Sequence, residues 1–193
     1  MKKPVVFISA FLAIGLIFAA CAKPPTEEMN QALNAVTRAE NDANAVIYAG
    51  NILIRARDAL TRMQTEADAK RYEAAKSFAA EAISAAERAI EDGRNGAARA
   101  RDEAANLINS LGSPLAETAN ALNAARDVQN INLDFDALSG DLDRARRTYD
   151  DARQSLNANN YQDASAKVQT VRSMLANING KINEAVQARS RKQ

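Results

Sequence analysis

Residues 53–90 read LIRARDALTRMQTEADAKRYEAAKSFAAEAISAAERAI. In the first half Leu53, Ala56, Leu60, Met63 and Ala67 recur at spacings of three and four; in the second Tyr72, Ala75, Ala79, Ala82, Ile83, Ala86 and Ile90 do the same. That spacing lines apolar side chains along one face of each of two helices. Between them Asp68-Ala69-Lys70-Arg71 leaves room only for a tight turn, so the helices fold back on each other as a hairpin.

The pattern occurs twice. Shifted by 89 residues, Leu53, Arg55, Ala56 and Arg57 fall on Leu142, Arg144, Ala145 and Arg146, while Ala69, Tyr72 and Ala75 fall on Ala158, Tyr161 and Ala164. Upstream, Ala32-Leu33-Asn34-Ala35 falls on Ala121-Leu122-Asn123-Ala124, and no gap is needed. An internal duplication is the expectation; shared alanine-rich helical composition is the alternative.

Composition agrees with helices throughout. Alanine, arginine and leucine favour helix, and asparagine and aspartate suit caps and bends. The chain has no tryptophan, and bulky apolar residues are sparse after the first twenty positions, so the core is expected to be thin. Its 25 basic and 24 acidic residues give a net charge of +1. Removing Lys2 and Lys3 with the first twenty residues leaves 23 against 24, a charge of −1. The signs are interleaved, which opposes a nucleic-acid surface and suits solvated helix faces with pairs such as Arg62–Glu66 and Asp143–Arg147. There is no histidine and one cysteine, so the commonest general base, the commonest metal ligand and any internal disulfide are missing. No cofactor and no metal are expected.

Residues 1–20 read as a targeting segment: Lys2 and Lys3, an apolar run from position 5 to 18, then Ala19-Ala20. Cys21 follows. Phe18-Ala19-Ala20-Cys21 resembles the lipobox of bacterial lipoproteins, with Phe18 where leucine is usual, as in the relaxed boxes of spirochaetes. The resemblance implies cleavage before Cys21 and acylation of that cysteine; an ordinary secretory peptide or a retained anchor is the alternative. One chain binds a membrane only marginally, and several make the attachment effectively permanent. Ala22 stands where aspartate would resemble an inner-membrane retention signal, which favours the outer membrane.

After a tether over 21–25, Thr26 is expected to cap a first helix to about Glu40, with Met29, Leu33 and Val36 inward. Positions 41–50 read as a bend, whose Val46, Ile47 and Tyr48 should pack back on the core. Gly93 and Gly96 are expected to break the helix after the first hairpin; a continuous helix with a weak point is the alternative. A further helix over 97–111 ends at Gly112-Ser113-Pro114, read as helix end, cap and first helical position. Positions 130–140 are the equivalent bend, anchored by Leu133, Phe135 and Leu138. The second hairpin pairs Leu142, Ala145, Tyr149, Ala152 and Leu156 with Tyr161, Ala164, Val168, Val171, Leu175 and Ile178 across a turn at 157–160. Gly180 is a possible weak point near the end. The expected fold is all-α: antiparallel helical hairpins in two related three-helix units, as one elongated bundle or as two lobes. The expected division is 1–20 signal peptide, 21–25 lipidated tether, 26–112 first unit with connecting helix, and 113–193 second unit.

Tyr72-x-x-Ala75-x-x-Phe78-Ala79-x-x-Ala82-Ile83 resembles the second helix of a tetratricopeptide repeat. In the other copy Lys167 and Arg172 take apolar places, so an array of standard repeats is not expected. Residues 41–90 are also similar to a family of uncharacterised alanine-rich bacterial envelope lipoproteins, which implies a cell-envelope location and carries over no catalytic residue.

Arg55, Arg57, Arg144 and Arg146 recur at matching places and are candidates for binding a partner; salt bridges and covered alanine surface are the plainer account. Tyr72 and Tyr161 are candidates for stacking a ligand, against the plainer role of sealing their own hairpins. Carboxylates such as Glu81, Glu87 and Asp102 suit a charged helix face better than acid–base chemistry. The expected function is therefore a non-catalytic interaction or scaffold protein, anchored to the envelope membrane through Cys21; its expected partner is an envelope protein or itself, with no nucleic acid. The alternative is an oligomeric spacer without a dedicated client.

Overall fold

The computed structural model describes residues 23–191. Seven helices follow one another: α1 (Thr26–Asn41), α2 (Ala43–Tyr48), α3 (Gly50–Asp68), α4 (Tyr72–Asn109), α5 (Gly112–Arg126), α6 (Phe135–Asn157) and α7 (Tyr161–Ser190). No strand occurs among the described residues, and the fold is all-α. Two compact units divide at Arg94 and Asn95, inside α4, and not at Gly112-Ser113-Pro114.

In the first unit Ala32, Ala35, Val36 and Ala39 of α1, Ala45 of α2, Ala49, and Leu53, Ala56, Ala59 and Met63 of α3 form one buried cluster with Ala79, Ala82, Ala86 and Ala89 of α4. All but Val36, Leu53 and Met63 are alanine. Small side chains let helices approach closely. The limit is reached at Gly93, where an added Cβ would lie 2.5 Å from the backbone nitrogen of Ala45. Gly93 therefore serves a close approach of α4 to α2. It does not break the helix: α4 continues through Gly93 and Gly96.

In the second unit the cluster is bulkier. Ile108 and Leu111, Leu115 and Leu122 of α5, Leu138 and Leu142 of α6, and Val168, Val171, Leu175, Ile178 and Ile182 of α7 are all buried. Thr118, fully buried, accepts a hydrogen bond from the Asn179 amide at 2.8 Å. At the end of α4, Ser110 accepts one from Arg172 at 3.1 Å.

The two hairpin turns have one construction. After α3 the Lys70 N–H donates to the Ala67 carbonyl and the Arg71 N–H to Glu66, both at 2.9 Å. After α6 the Asn159 N–H donates to Leu156 at 3.0 Å and the Asn160 N–H to Ser155 at 2.8 Å. This pair of bonds is the Schellman closure, and it needs a left-handed residue. Lys70 has φ 59° and Asn159 φ 61°. Every participant in one turn lies 89 positions from its counterpart in the other.

Several local expectations are corrected. Thr26 is the first helical residue, not the cap; Pro25 holds the cap position, and its carbonyl accepts from the Met29 N–H at 3.0 Å. The bend at 41–50 contains α2, capped by Asp42, whose carboxylate accepts from the Ala45 N–H at 2.9 Å. Val46 and Ile47 do not pack back: the turn of α2 buries Ala45 and leaves them about half exposed. Leu33, expected inward, is 50% exposed because Ala32, Ala35, Val36 and Ala39 take the inner face of α1. Ser113 and Pro114 lie inside α5, whose cap position is Leu111; the Ser113 hydroxyl donates to Glu117 at 2.7 Å. Pro114 costs no hydrogen bond there, because the first-turn N–H groups have no helical acceptor. Leu138 and Gly140 belong to α6, whose cap is Asp134, and α7 runs through Gly180 to Ser190.

Candidate functional site

The recurrent arginines keep matching positions but not matching partners. On α3, the Arg57 Nε lies 2.6 Å from the Glu40 carboxylate of α1. Its counterpart Arg146 pairs along its own helix with Asp143 at 3.2 Å. Arg144 pairs with Asp141 at 3.4 Å, and Lys181 of α7 approaches the same carboxylate at 4.0 Å. Arg55 borders a shallow depression of about 110 Å³ with Asp58, Arg62 and Glu81. Arg55 and Arg57 thus face different surroundings, as residues two apart on a helix must. The expected pairs Arg62–Glu66 and Asp143–Arg147 are replaced. Glu66 pairs with Arg71 across the turn, Arg62 lies 5.9 Å from the Phe78 ring centroid, and Asp143 takes Arg146.

Tyr72 and Tyr161 each open the second helix of a hairpin and are half-buried. The Tyr161 ring packs on the second core, and its hydroxyl donates to the side-chain oxygen of Asn159, the left-handed residue of the turn, at 2.8 Å. That contact belongs to the turn.

The densest polar cluster also closes a hairpin. The Ser155 hydroxyl donates to Asp163 at 2.5 Å and accepts from the Lys167 ammonium at 2.8 Å; Lys167 also pairs with Asp163. These bonds from Lys167 and Ser155 hold the Asp163 carboxyl below its ordinary range. A serine beside a lysine can act as a nucleophile only if the amine loses its proton, and the adjacent carboxylate favours the ammonium. The Glu66 carboxyl is likewise lowered by its bond to Arg71. Among the described residues no group of three or more His, Cys, Asp or Glu side chains is arranged to hold a metal ion.

What periodicity did not reveal is apolar surface. Leu33 of α1, Val46 and Ile47 of α2, and Ile54 of α3 are about half exposed, and all belong to the first unit. A groove of about 470 Å³ runs between Met29 and Leu33 of α1 and Leu60 and Met63 of α3. A second depression of similar volume follows the α2–α3 junction past Val46, Ile47 and Ile52. In the second unit a groove of about 450 Å³ lies between the loop at Asn132–Asp134 and Lys181, Glu184 and Ala188 of α7. The available signal was the spacing on α1: Ala32, Ala35, Val36 and Ala39 claim its inner face and leave Leu33 over. No described helix is long and apolar enough to cross a membrane. Cys21 lies outside the described residues.

Residues 27–105 match a family described only as a domain of unknown function, DUF4398. No curated protein and no solved structure matches the chain. The matched stretch holds nearly all of α1, all of α2 and α3, most of α4, and with them Leu33, Val46, Ile47 and Ile54.

Proposed function

We propose that this chain is a lipid-anchored interaction or scaffold protein of the bacterial cell envelope, without catalytic activity. It is held through Cys21, in the outer membrane facing the periplasm, and it presents the first unit to a protein partner. The observation that carries the interaction reading is that four of the five large apolar side chains exposed among the described residues, Leu33, Val46, Ile47 and Ile54, belong to the first unit, inside the family match; the fifth, Val186, lies in the second. Exposed apolar side chains in excess on one unit suit a contact surface. The anchor is supported by Phe18-Ala19-Ala20-Cys21.

The rival is a spacer that oligomerises through its alanine faces. Against it, Ala75, Ala79, Ala82, Ala86 and Ala89 are at most 1% exposed and already used inside the first unit. The test is cross-linking in the native cells with mass spectrometry of what is captured. Parallel strains carry Val46→Ser with Ile47→Ser, and Arg55, Arg57, Arg144 and Arg146 changed to Ala. A single reproducible partner lost from the first strain supports the scaffold, and its loss from the second brings the arginines into the contact. Self-cross-links alone, unchanged in both strains, leave the spacer.

A further inference from the structure

The α1 residues that line the groove beside α3 have buried counterparts in the second unit. Leu33, 50% exposed, corresponds at the 89-residue offset to Leu122, which is 3% exposed. Met29, half-buried, corresponds to the fully buried Thr118. In the second unit α5 is preceded by the last turns of α4, and Ala104, Ile108 and Leu111 are buried in one cluster with Leu115 and Leu122. Counted back by 89, those three fall at positions 15, 19 and 22, outside the described residues. Cleavage before Cys21 would remove most of that stretch. The cut would leave a cysteine at the head of the first unit.

We propose that an acyl chain carried by Cys21 of the same molecule lies in the groove of Met29, Leu33, Leu60 and Met63. This rests on Cys21 being lipid-modified. The remaining chains stay in the bilayer. Four residues separate Cys21 from Thr26, five Cα-to-Cα steps with a reach of up to about 17 Å, and Met29 and Leu33 lie near the start of α1. The groove joins the start of α1 to the end of α3, so it sits at the end where the chain enters the unit. Its volume of about 470 Å³ falls in the ~300–1,000 Å³ range of small-molecule sites. Met29, Leu33, Leu60 and Met63 form its apolar part, with Asn30, Thr61, Gln64 and Thr65 also in the lining, and methionine adapts to irregular apolar shapes. No charged side chain lines it except Asp68, at the turn.

The test feeds a diazirine-bearing palmitic acid to cells expressing the full chain. The purified lipoprotein is weighed intact, irradiated, digested and mapped. The expected result is probe on Cys21 and intramolecular cross-links to peptides holding Met29, Leu33, Leu60 or Met63. These cross-links disappear in Leu33→Gln with Leu60→Gln, whose helicity is checked by circular dichroism, and in Cys21→Ser. Probe on Cys21 with cross-links only to phospholipid overturns the inference and leaves the anchor standing. Groove cross-links that persist in Cys21→Ser also overturn it, because the lipid then comes from elsewhere. Absence of any acyl group on Cys21 overturns the anchor and this inference together.

Discussion

The second helices of the two hairpins bury the same five places with different volumes. Ala75, Ala79, Ala82, Ala86 and Ala89 fill them in α4; Ala164, Val168, Val171, Leu175 and Ile178 fill them in α7. The turns that lead into these helices are built alike, bond for bond. Backbone geometry fixes the turn, whereas side-chain volume sets the distance between helix axes. The first unit therefore gains its packing from close backbone approach, and the second from apolar area removed from water.

The largest test of that difference is Ile178→Ala. It empties a fully buried place in a bulky core and should cost about 2–5 kcal/mol. Amide exchange resolved by peptide should show the lost protection in the second unit. Equal loss in both units would break the contrast and require one cooperative core.

Next is a pair of glycine substitutions with opposite signs. Gly→Ala inside a helix ordinarily gains roughly 0.5–1 kcal/mol. Gly180→Ala should do so, since its Cβ would meet nothing within 4 Å. Gly93→Ala should instead destabilise, by an overpacking cost of about 1–3 kcal/mol, because the nearest atoms are Ala45 backbone, which cannot rotate away. Urea denaturation of both variants reads the signs directly. A stabilised Gly93→Ala would show that α2 yields without cost, and that close approach is not what holds the first unit.

These outcomes bear on what the sequence made legible. Helical periodicity identified the hairpins, and the turn at Asp68-Ala69-Lys70-Arg71 lies between α3 and α4 where its shortness required. The second core matched its predicted face because leucine, valine and isoleucine mark a face without ambiguity. In α1 and α2 the same logic failed. It placed Val36 correctly but also assigned Leu33, Val46 and Ile47 inward by hydrophobicity, while Ala32, Ala35, Ala39 and Ala45 took the other buried positions. Gly93 was misread for a related reason: one residue type serves both helix ends and close contacts, and only the neighbouring α2 distinguishes them. Of the candidate site residues, the arginines and tyrosines were legible as recurrent positions. The groove was not, since it depends on a residue left over from a face already filled.

A smaller effect separates the turns. A left-handed conformation strains a residue with a side chain, and asparagine tolerates it better than lysine. Lys70→Gly should therefore stabilise by about 0.5–1 kcal/mol, and Asn159→Gly by less. Thermal unfolding followed by circular dichroism compares them. Equal gains would mean that the asparagine side chain does nothing for the second turn.

The smallest effect is the response to acid. Glu66 is held below its ordinary range chiefly by its hydrogen bond to Arg71, and Asp163 by its bonds to Lys167 and Ser155. A carboxyl with a lowered folded-state pKa adds stability above its unfolded pKa and loses it as pH falls through the folded value. The unfolded values are about 4.3 for glutamate and about 3.9 for aspartate. Both contributions are thus complete at neutral pH and fade below about pH 4, the glutamate's beginning slightly higher. Urea midpoints measured from pH 7 down to about pH 2 should fall less steeply at the acid end for Glu66→Gln and for Asp163→Asn than for the parent. Amide exchange at low pH should show the first hairpin loosening before the second. The reverse order would mean that the partly buried Ser155–Asp163–Lys167 cluster loses more on protonation than the Glu66–Arg71 pair does.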